Sequence, residues 1–360
     1  LDSWPVLRVA ARLAGSTSAR GLEELTLSML RGLEGGQAEE LRLVTGWLEG
    51  LPEHARPEAV VLSNALLAGL AGALGRAARA PVVCWLQDEH VWIDAMRPEL
   101  RAAVLRALAD DAPAVDRFVA VSASYAGRMA REIGLDPARV SVVFPGLDPD
   151  AYRGADMARR PATVGFLSRL SAAEGFDRFV EAYLLLRRDP RFADVRLAAT
   201  GGPSPDRGFL RRQVRRLRAA GAWRDCALSP DRFVGDRAGF LSELTLLTVP
   251  GSEHEAFGYY AIEAMAAGVP VVLPAAGAFP EIAAAAGCGV RAPDAEPATL
   301  ARVWAELLGD PERLRRESRL GRAAACGVFS QAVSAASWEA VLQEVVAAGR
   351  ERQGADRAAR

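Results

Sequence analysis

The 360-residue chain contains no lysine, so all 44 of its basic side chains are arginine. That absence removes whole classes of chemistry. Schiff-base and pyridoxal enzymes need a lysine amine. A Walker phosphate loop ends in Gly-Lys, and protein kinases grip phosphate with a strand lysine. Phosphate bound here must be held by arginine, by backbone N–H groups or by a helix N-terminus. Cysteine and histidine are also scarce. Cys84, Cys226, Cys288 and Cys326 make no C-x-x-C pair, and His54, His90 and His254 have no ligand spacing. No metal site is expected, and reduced thiols suit a cytoplasmic protein. Long apolar runs are missing too. The stretch 59–75 is broken by Ser63, Asn64 and three glycines, so neither a signal peptide nor a membrane span is expected. The 44 basic residues against 45 acidic give a net charge of −1, unlike the basic excess of a nucleic-acid binder.

What is present is an ordinary globular composition, 50% hydrophobic and 25% charged, in a length that suits two domains. The chain begins at Leu1 with a helical pattern capped by Ser18 (Leu22, Leu25, Met29, Leu33). Apolar runs at 59–62, 81–86, 117–121 and 140–144 then alternate with helices at 99–109 and 124–133, the latter capped by Ser122 or Ser124. A polar stretch, 146–160, follows as a linker. A second series has strands at 163–167, 195–200, 232–234, 246–249 and 269–273. Its helices fall at 177–187, 208–220, 297–308 and 311–325, with a last one from a Ser330 cap to Ala348 and a frayed tail after Gly349. This is βαβ winding twice over. The expected division is residues 1–155, 156–329, and a C-terminal helix and tail, 330–360, that crosses back to the first domain. Ligands of such folds bind where strand ends and helix starts meet.

The stretch 250–282 reads PGSEHEAFGYYAIEAMAAGVPVVLPAAGAFPEI. Glu255 lies in the turn after a strand, a helix starts at Phe257-Gly258, and its first N–H groups form an anion or hydroxyl site. Glu263 follows two turns on. Ala264, Ala266, Ala267 and Gly268 let that helix pack closely and stop.

These residues resemble the retaining glycosyltransferases of sequence family 4. Glu255 and Glu263 match that family's E-x7-E signature, within E-A-F-G and I-E-A-M-A-A-G-V-P-V-V. The G-F-L-S-R-L strand end with Arg169, the loop Thr200-Gly201-Gly202-Pro203, Phe233-Val234-Gly235 and Pro280-Glu281-Ile282 follow in the family's order. The resemblance implies an α/β GT-B fold, two Rossmann-like doubly wound domains facing a central crevice. It implies transfer of a sugar from a nucleotide diphosphate sugar to a hydroxyl acceptor (a glycan, a lipid-linked sugar or a small molecule) with retention and without a metal or other cofactor. Carried over, Glu263 accepts from the ribose hydroxyls and Glu255 sits at the donor sugar. The N–H groups of Phe257, Gly258 and Tyr259 meet sugar hydroxyls and diphosphate, and Arg169 neutralises the departing diphosphate. Val234 lines the base pocket, and Gly201 and Gly202 admit close backbone approach.

Three departures accompany the match. Glu174 stands five residues after Arg169, where the family carries a lysine on the diphosphate. Gln87 replaces a histidine near the reacting carbon, and it hydrogen-bonds but shuttles no proton. The first strand and glycine-rich turn of the usual N-terminal domain have no counterpart, as in a fragment. The alternative is a GT-B-like binding or scaffold protein that has lost turnover. A dehydrogenase fits poorly, because no strand leads into G-x-G-x-x-G. Asp88 and His90 share the strand end with Gln87, His254 reads as structural or a minor pocket contact, and Asp148-Pro149-Asp150 reads as a turn. Arg211, Arg212, Arg215, Arg216 and Arg218 form a solvated helix face, with attraction to acidic lipid at the inner membrane face as its second use.

Overall fold

A computed structural model describes residues 19–152, 154–202, 206–229, 236–251 and 255–358. The chain divides at Val143/Phe144 and again at Ala336/Ser337, which gives two compact units.

Among the described residues the first unit holds four parallel strands side by side in chain order: β1 (Val60–Leu62), β2 (Val82–Leu86), β3 (Arg117–Ala120) and β4 (Val140–Val142). Val82, Val83, Cys84 and Leu86 of β2 are all buried, as a strand covered on both faces requires. The helices before β4 are α1 (Ala19–Leu30), α2 (Ala38–Gly50), α3 (Ala71–Ala78), α4 (Glu89–Asp94), α5 (Pro98–Asp111) and α6 (Ala123–Ile133). Ser122, not Ser124, caps α6, accepting the Tyr125 N–H, and Gly134 in the left-handed region ends it.

Among the described residues the second unit holds six parallel strands: β5 (Thr163–Leu167), β6 (Arg196–Thr200), β7 (Cys226–Leu228), β8 (Leu246–Thr248), β9 (Val271–Pro274) and β10 (Val290–Ala292). Their spatial order is β10-β9-β8-β5-β6-β7. The winding therefore reverses between β5 and β8, and the crevice outside the carboxyl ends of those two strands is the switch point where open α/β sheets bind ligands. The accompanying helices are α7 (Phe176–Leu186), α8 (Arg207–Ala219), α9 (Arg237–Ser242), α10 (Tyr259–Ala266), α11 (Phe279–Ala286), α12 (Pro297–Leu308) and α13 (Pro311–Cys326). Phe166, Phe176, Phe179 and Trp304 form the aromatic centre of the core, and Trp304 Nε1 donates to Thr248 Oγ1 at 2.9 Å. The strand expected at 232–234 lies outside the described residues.

Two expectations are corrected. The segment after Val143 belongs to the second unit, not to the first as the expected boundary at residue 155 had it. Phe144 packs on Phe257 and Phe329, each with ring centroids at 5.7 Å. Leu147 bridges to Ser330, and Arg322 donates to the carbonyls of Pro149, Tyr152 and Ala266. The tail after Gly349 is not frayed from that point: the last helix, α14, runs Gln331–Ala358. From Ser337 it belongs to the first unit. There Trp338, Val341, Leu342 and Val345 pack on Val83, Val119 and Val143, and Arg350 and Arg352 pair with Glu58 and Asp116. Among the described residues no helix is long and apolar enough to cross a membrane.

Candidate active site

The switch point of the second unit is built from the loops that leave β5, β6 and β8. After β5, Ser168 and Leu170 donate their N–H groups to the carbonyls of Thr200 (3.2 Å) and Gly202 (3.1 Å) at the end of β6. That lacing is close enough to demand glycine. A Cβ on Gly201, at φ +150°, would stand 1.7 Å from the Ser168 oxygen. Arg169 is thereby fixed at the lip of the sheet, its side chain more than half exposed, with Nη2 3.8 Å from Glu174 Oε1. Gly175 (φ +72°) starts α7, and a Cβ there would come within 2.1 Å of the Pro250 carbonyl. The loop that carries Arg169 and Glu174 therefore lies directly against the loop leaving β8.

The β8 loop leads into α10. Gly258, at φ +77°, caps the helix, and a Cβ there would meet the Phe279 ring at 2.5 Å. Its N–H donates to Glu255 Oε1 at 3.2 Å, so the Glu255 carboxylate sits at the positive end of α10, where a negative charge is stabilised. The Glu255 backbone is held from the far side, its carbonyl accepting the Ala278 N–H at 3.1 Å. Phe257 is buried against Phe144 and Phe329. Tyr259 is half exposed, and its hydroxyl donates to the Gly146 carbonyl at 3.0 Å.

Glu263 lies further along α10 and is 2% exposed. Two partners absent from the sequence reading meet it. Tyr152 donates its hydroxyl to Oε1 at 2.7 Å, and Arg237, at the start of α9, pairs with Oε2. Burial pushes the Glu263 carboxyl above the usual carboxylate range, against the pull of Arg237 and Tyr152. The Tyr152 phenol is raised by its own burial and by that carboxylate. Arg237 follows the F-V-G-D run by one residue, the one sequence signal that could have found it. Tyr152 had only its place in the linker.

The second unit thus brings together Arg169, Glu174, Gly201, Gly202, Glu255, Phe257, Gly258, Tyr259 and Glu263. Val234 and His254 lie outside the described residues. Gln87 belongs to the first unit, just after β2, where its side-chain amide donates to the Ser63 carbonyl at 2.6 Å. Its own N–H donates to Glu89 (3.0 Å), a buried carboxylate that also takes the Ala65 N–H (2.8 Å) and the Tyr125 hydroxyl (2.6 Å). Burial pushes Glu89 upward against those donors. The His90 ring lies 5.2 Å from that of Tyr125. Among the described residues no three His, Cys, Asp or Glu side chains group to hold a metal ion.

Residues 4–146 match the family model described as a glycosyl transferase 4-like domain, and residues 161–310 match that of glycosyl transferases group 1. Each half of the chain meets one half of the same two-domain plan. The chain is a glycosyltransferase family 4-like protein of the GT-B fold. Among solved structures, this family 4-like chain is similar to Anabaena HepE in complex with UDP, with a TM-score of 0.73 and 18% identity over 87% of this chain and 84% of that one. Sucrose-phosphate synthase from Thermosynechococcus elongatus gives a TM-score of 0.67 at 18% identity, over 87% and 80% of the two chains. At such identities the likeness is one of fold. Among curated proteins, D-inositol 3-phosphate glycosyltransferase 1 of Catenulispora acidiphila is 32% identical over 253 residues, 66% of this chain and 60% of that protein. The D-inositol 3-phosphate glycosyltransferase of Streptomyces bingchenggensis is 31% identical over 221 residues, 56% and 47% of the two. The match thus spans between 47% and 60% of these relatives' own length.

Proposed function

We propose that the protein moves a sugar from a nucleotide diphosphate sugar to a hydroxyl acceptor with retention at the anomeric carbon. One observation carries the reading: at the switch point between β5 and β8, Arg169 and the start of α10 stand on neighbouring loops, with Glu255 at the helix end. As the donor breaks, negative charge gathers on the departing diphosphate. A guanidinium and a helix N-terminus stabilise that charge without a metal. Glu255 accepts from the donor sugar's hydroxyls. The N–H groups of Phe257, Gly258 and Tyr259 line the diphosphate and sugar, with the Gly258 N–H shared with Glu255. Gly201 and Gly202 let the backbone approach, and Glu263 takes the ribose hydroxyls. The acceptor is a hydroxyl compound; the names of the curated relatives favour a small phosphorylated polyol over a glycan or a lipid-linked sugar. A cytoplasmic place, with peripheral contact at the inner membrane face through the Arg211, Arg212 and Arg215 face of α8, accords with this reading.

The test is calorimetric titration with UDP, GDP and ADP, then with the matching sugar donors, followed by donor hydrolysis and product anomeric configuration by NMR. One of the three diphosphates should bind, Glu263→Ala should abolish that binding, and the product should keep the donor's configuration. Binding by none would overturn the assignment of Arg169, Glu255 and Glu263. Binding with no turnover of any donor would leave a nucleotide-sugar-binding protein in place of an enzyme.

A further inference from the structure

Two polar groups beside this site lack what they need: one stands on α10, the other on the loop that meets the segment leading from β8 into that helix. Tyr260 is the second residue of α10. Its ring packs on the core and lies 6.0 Å from the Phe279 ring, yet its hydroxyl is buried and has no hydrogen-bond partner. A phenylalanine would fill that space without the penalty of an unmet hydroxyl. The Glu174 carboxylate is the complementary case. Its polar contact is Arg169 Nη2 at 3.8 Å, near the outer limit of an ion pair and too long for a hydrogen bond. Gly251, leaving β8, stands against it: a Cβ there would be 3.4 Å from Glu174 Oε2. Burial chiefly pushes the Tyr260 phenol up, and the Glu255 and Glu174 carboxylates add to that. Glu255 is already engaged by the Gly258 N–H, whereas Glu174 has an acceptor to offer.

A donor diphosphate held by Arg169 would face the Glu174 carboxylate across the same guanidinium, and like charges repel most where water is excluded. We infer that Tyr260 is a positioning residue for donor binding: when the diphosphate takes Arg169, Glu174 turns from the guanidinium and accepts a hydrogen bond from the Tyr260 hydroxyl. The move satisfies the buried phenol and draws the unfavourable charge away from the phosphates, and no covalent bond changes. Burial and the neighbouring carboxylates keep the phenol protonated, hence a donor. This inference rests on the donor reading above.

The experiment is calorimetric titration of UDP, GDP and ADP, each beside its nucleoside, into the unaltered chain, Tyr260→Phe, Glu174→Ala and the double variant. For the diphosphate that binds, Tyr260→Phe should weaken affinity about tenfold, leave the nucleoside's affinity unchanged, and melt at the same or a higher temperature. In the Glu174→Ala background the same change should have no effect. An unchanged diphosphate affinity in Tyr260→Phe, an equal loss for the nucleoside, or the same loss without Glu174 would each overturn the inference while the donor reading stands. Binding of none of the three diphosphates to the unaltered chain would remove both.

Discussion

Replacing Arg237 with alanine tests how the site holds its most buried charge. Glu263 is 2% exposed, and its two oxygens are met by Tyr152 and Arg237. Removing one partner of a fully buried ion pair costs about 3–5 kcal/mol, because the other charge is left without compensation. The Arg237 side chain is 35% exposed, so water reaches the space it vacates, and about 2 kcal/mol is expected instead. For a unit of this size that is a fall of roughly 4–8 °C in Tm. The pH dependence carries the sharper signature. Burial already raises the folded-state pKa of Glu263, and the loss of Arg237, which lowers it, must raise it further. A carboxyl with a raised folded pKa contributes stability at low pH that is lost as the pH rises through that pKa. The deficit of Arg237→Ala should therefore be largest near neutral pH and shrink on acidification toward about pH 5. Adding Glu263→Gln should make what deficit remains independent of pH. Thermal unfolding by circular dichroism between those limits reads all three effects. A full deficit that persists unchanged into acid would show that Arg237 acts through packing and not through the charge of Glu263.

Three further outcomes follow from the geometry. Gly201→Ala should destabilise the second unit by at least about 2 kcal/mol and weaken nucleotide binding, since a Cβ cannot fit 1.7 Å from the Ser168 oxygen without moving the Arg169 loop; chemical denaturation with a nucleotide titration checks it, and normal binding would mean that the loop is not needed. Tyr125→Phe leaves Glu89 its backbone donors but removes the 2.6 Å hydroxyl bond and the acceptor of the His90 N–H, a loss of about 1–2 kcal/mol that hydrogen exchange should localise to the Asn64–Leu66 turn and the start of α4. Ending the chain at Ala336 uncovers Val83, Val119 and Val143, on which Trp338, Val341, Leu342 and Val345 pack; on the order of 5 kcal/mol should be lost from the first unit, with new binding of a hydrophobic dye, and an unshifted transition would contradict the packing.

The sequence disclosed most where local pattern and tertiary role coincide. Strand β5 and helix α12 fall where the apolar run and the Pro297 start place them, because a buried strand is a short apolar run and proline suits the first helical turn. The strands β7 and β10 were not legible. Each is three residues long, Cys226 follows the charged pair Arg224-Asp225, and Arg291 interrupts β10. Neither carries a run that stands out from a loop, and both owe their pairing to the neighbouring strand. Helix α2 escaped notice for a related reason: it buries only Leu41 and Leu48 and exposes Leu43, Val44 and Trp47, so its apolar residues do not trace one face.

The site divides along the same line. Glu255 and Glu263 were visible together because one strand, one turn and one helix carry both, and short-range geometry fixes their spacing. The partners of Glu263 come from 111 and 26 residues away, and no local period reports a contact of that range. The linker shows how much this matters. Its Pro149, Gly154 and paired arginines read as a free polar connector, yet Arg322 gathers its carbonyls and Tyr152 delivers a hydroxyl onto the most buried carboxylate of α10. A carboxylate so enclosed must be met by donors, and a nucleotide ribose reaching Glu263 would have to share it with Tyr152 or replace that phenol. Tyr152→Phe separates the two cases. Tighter nucleotide binding would mean that the phenol competes with the ribose for Oε1, whereas weaker binding would mean that it orients the carboxylate for the ribose from the side.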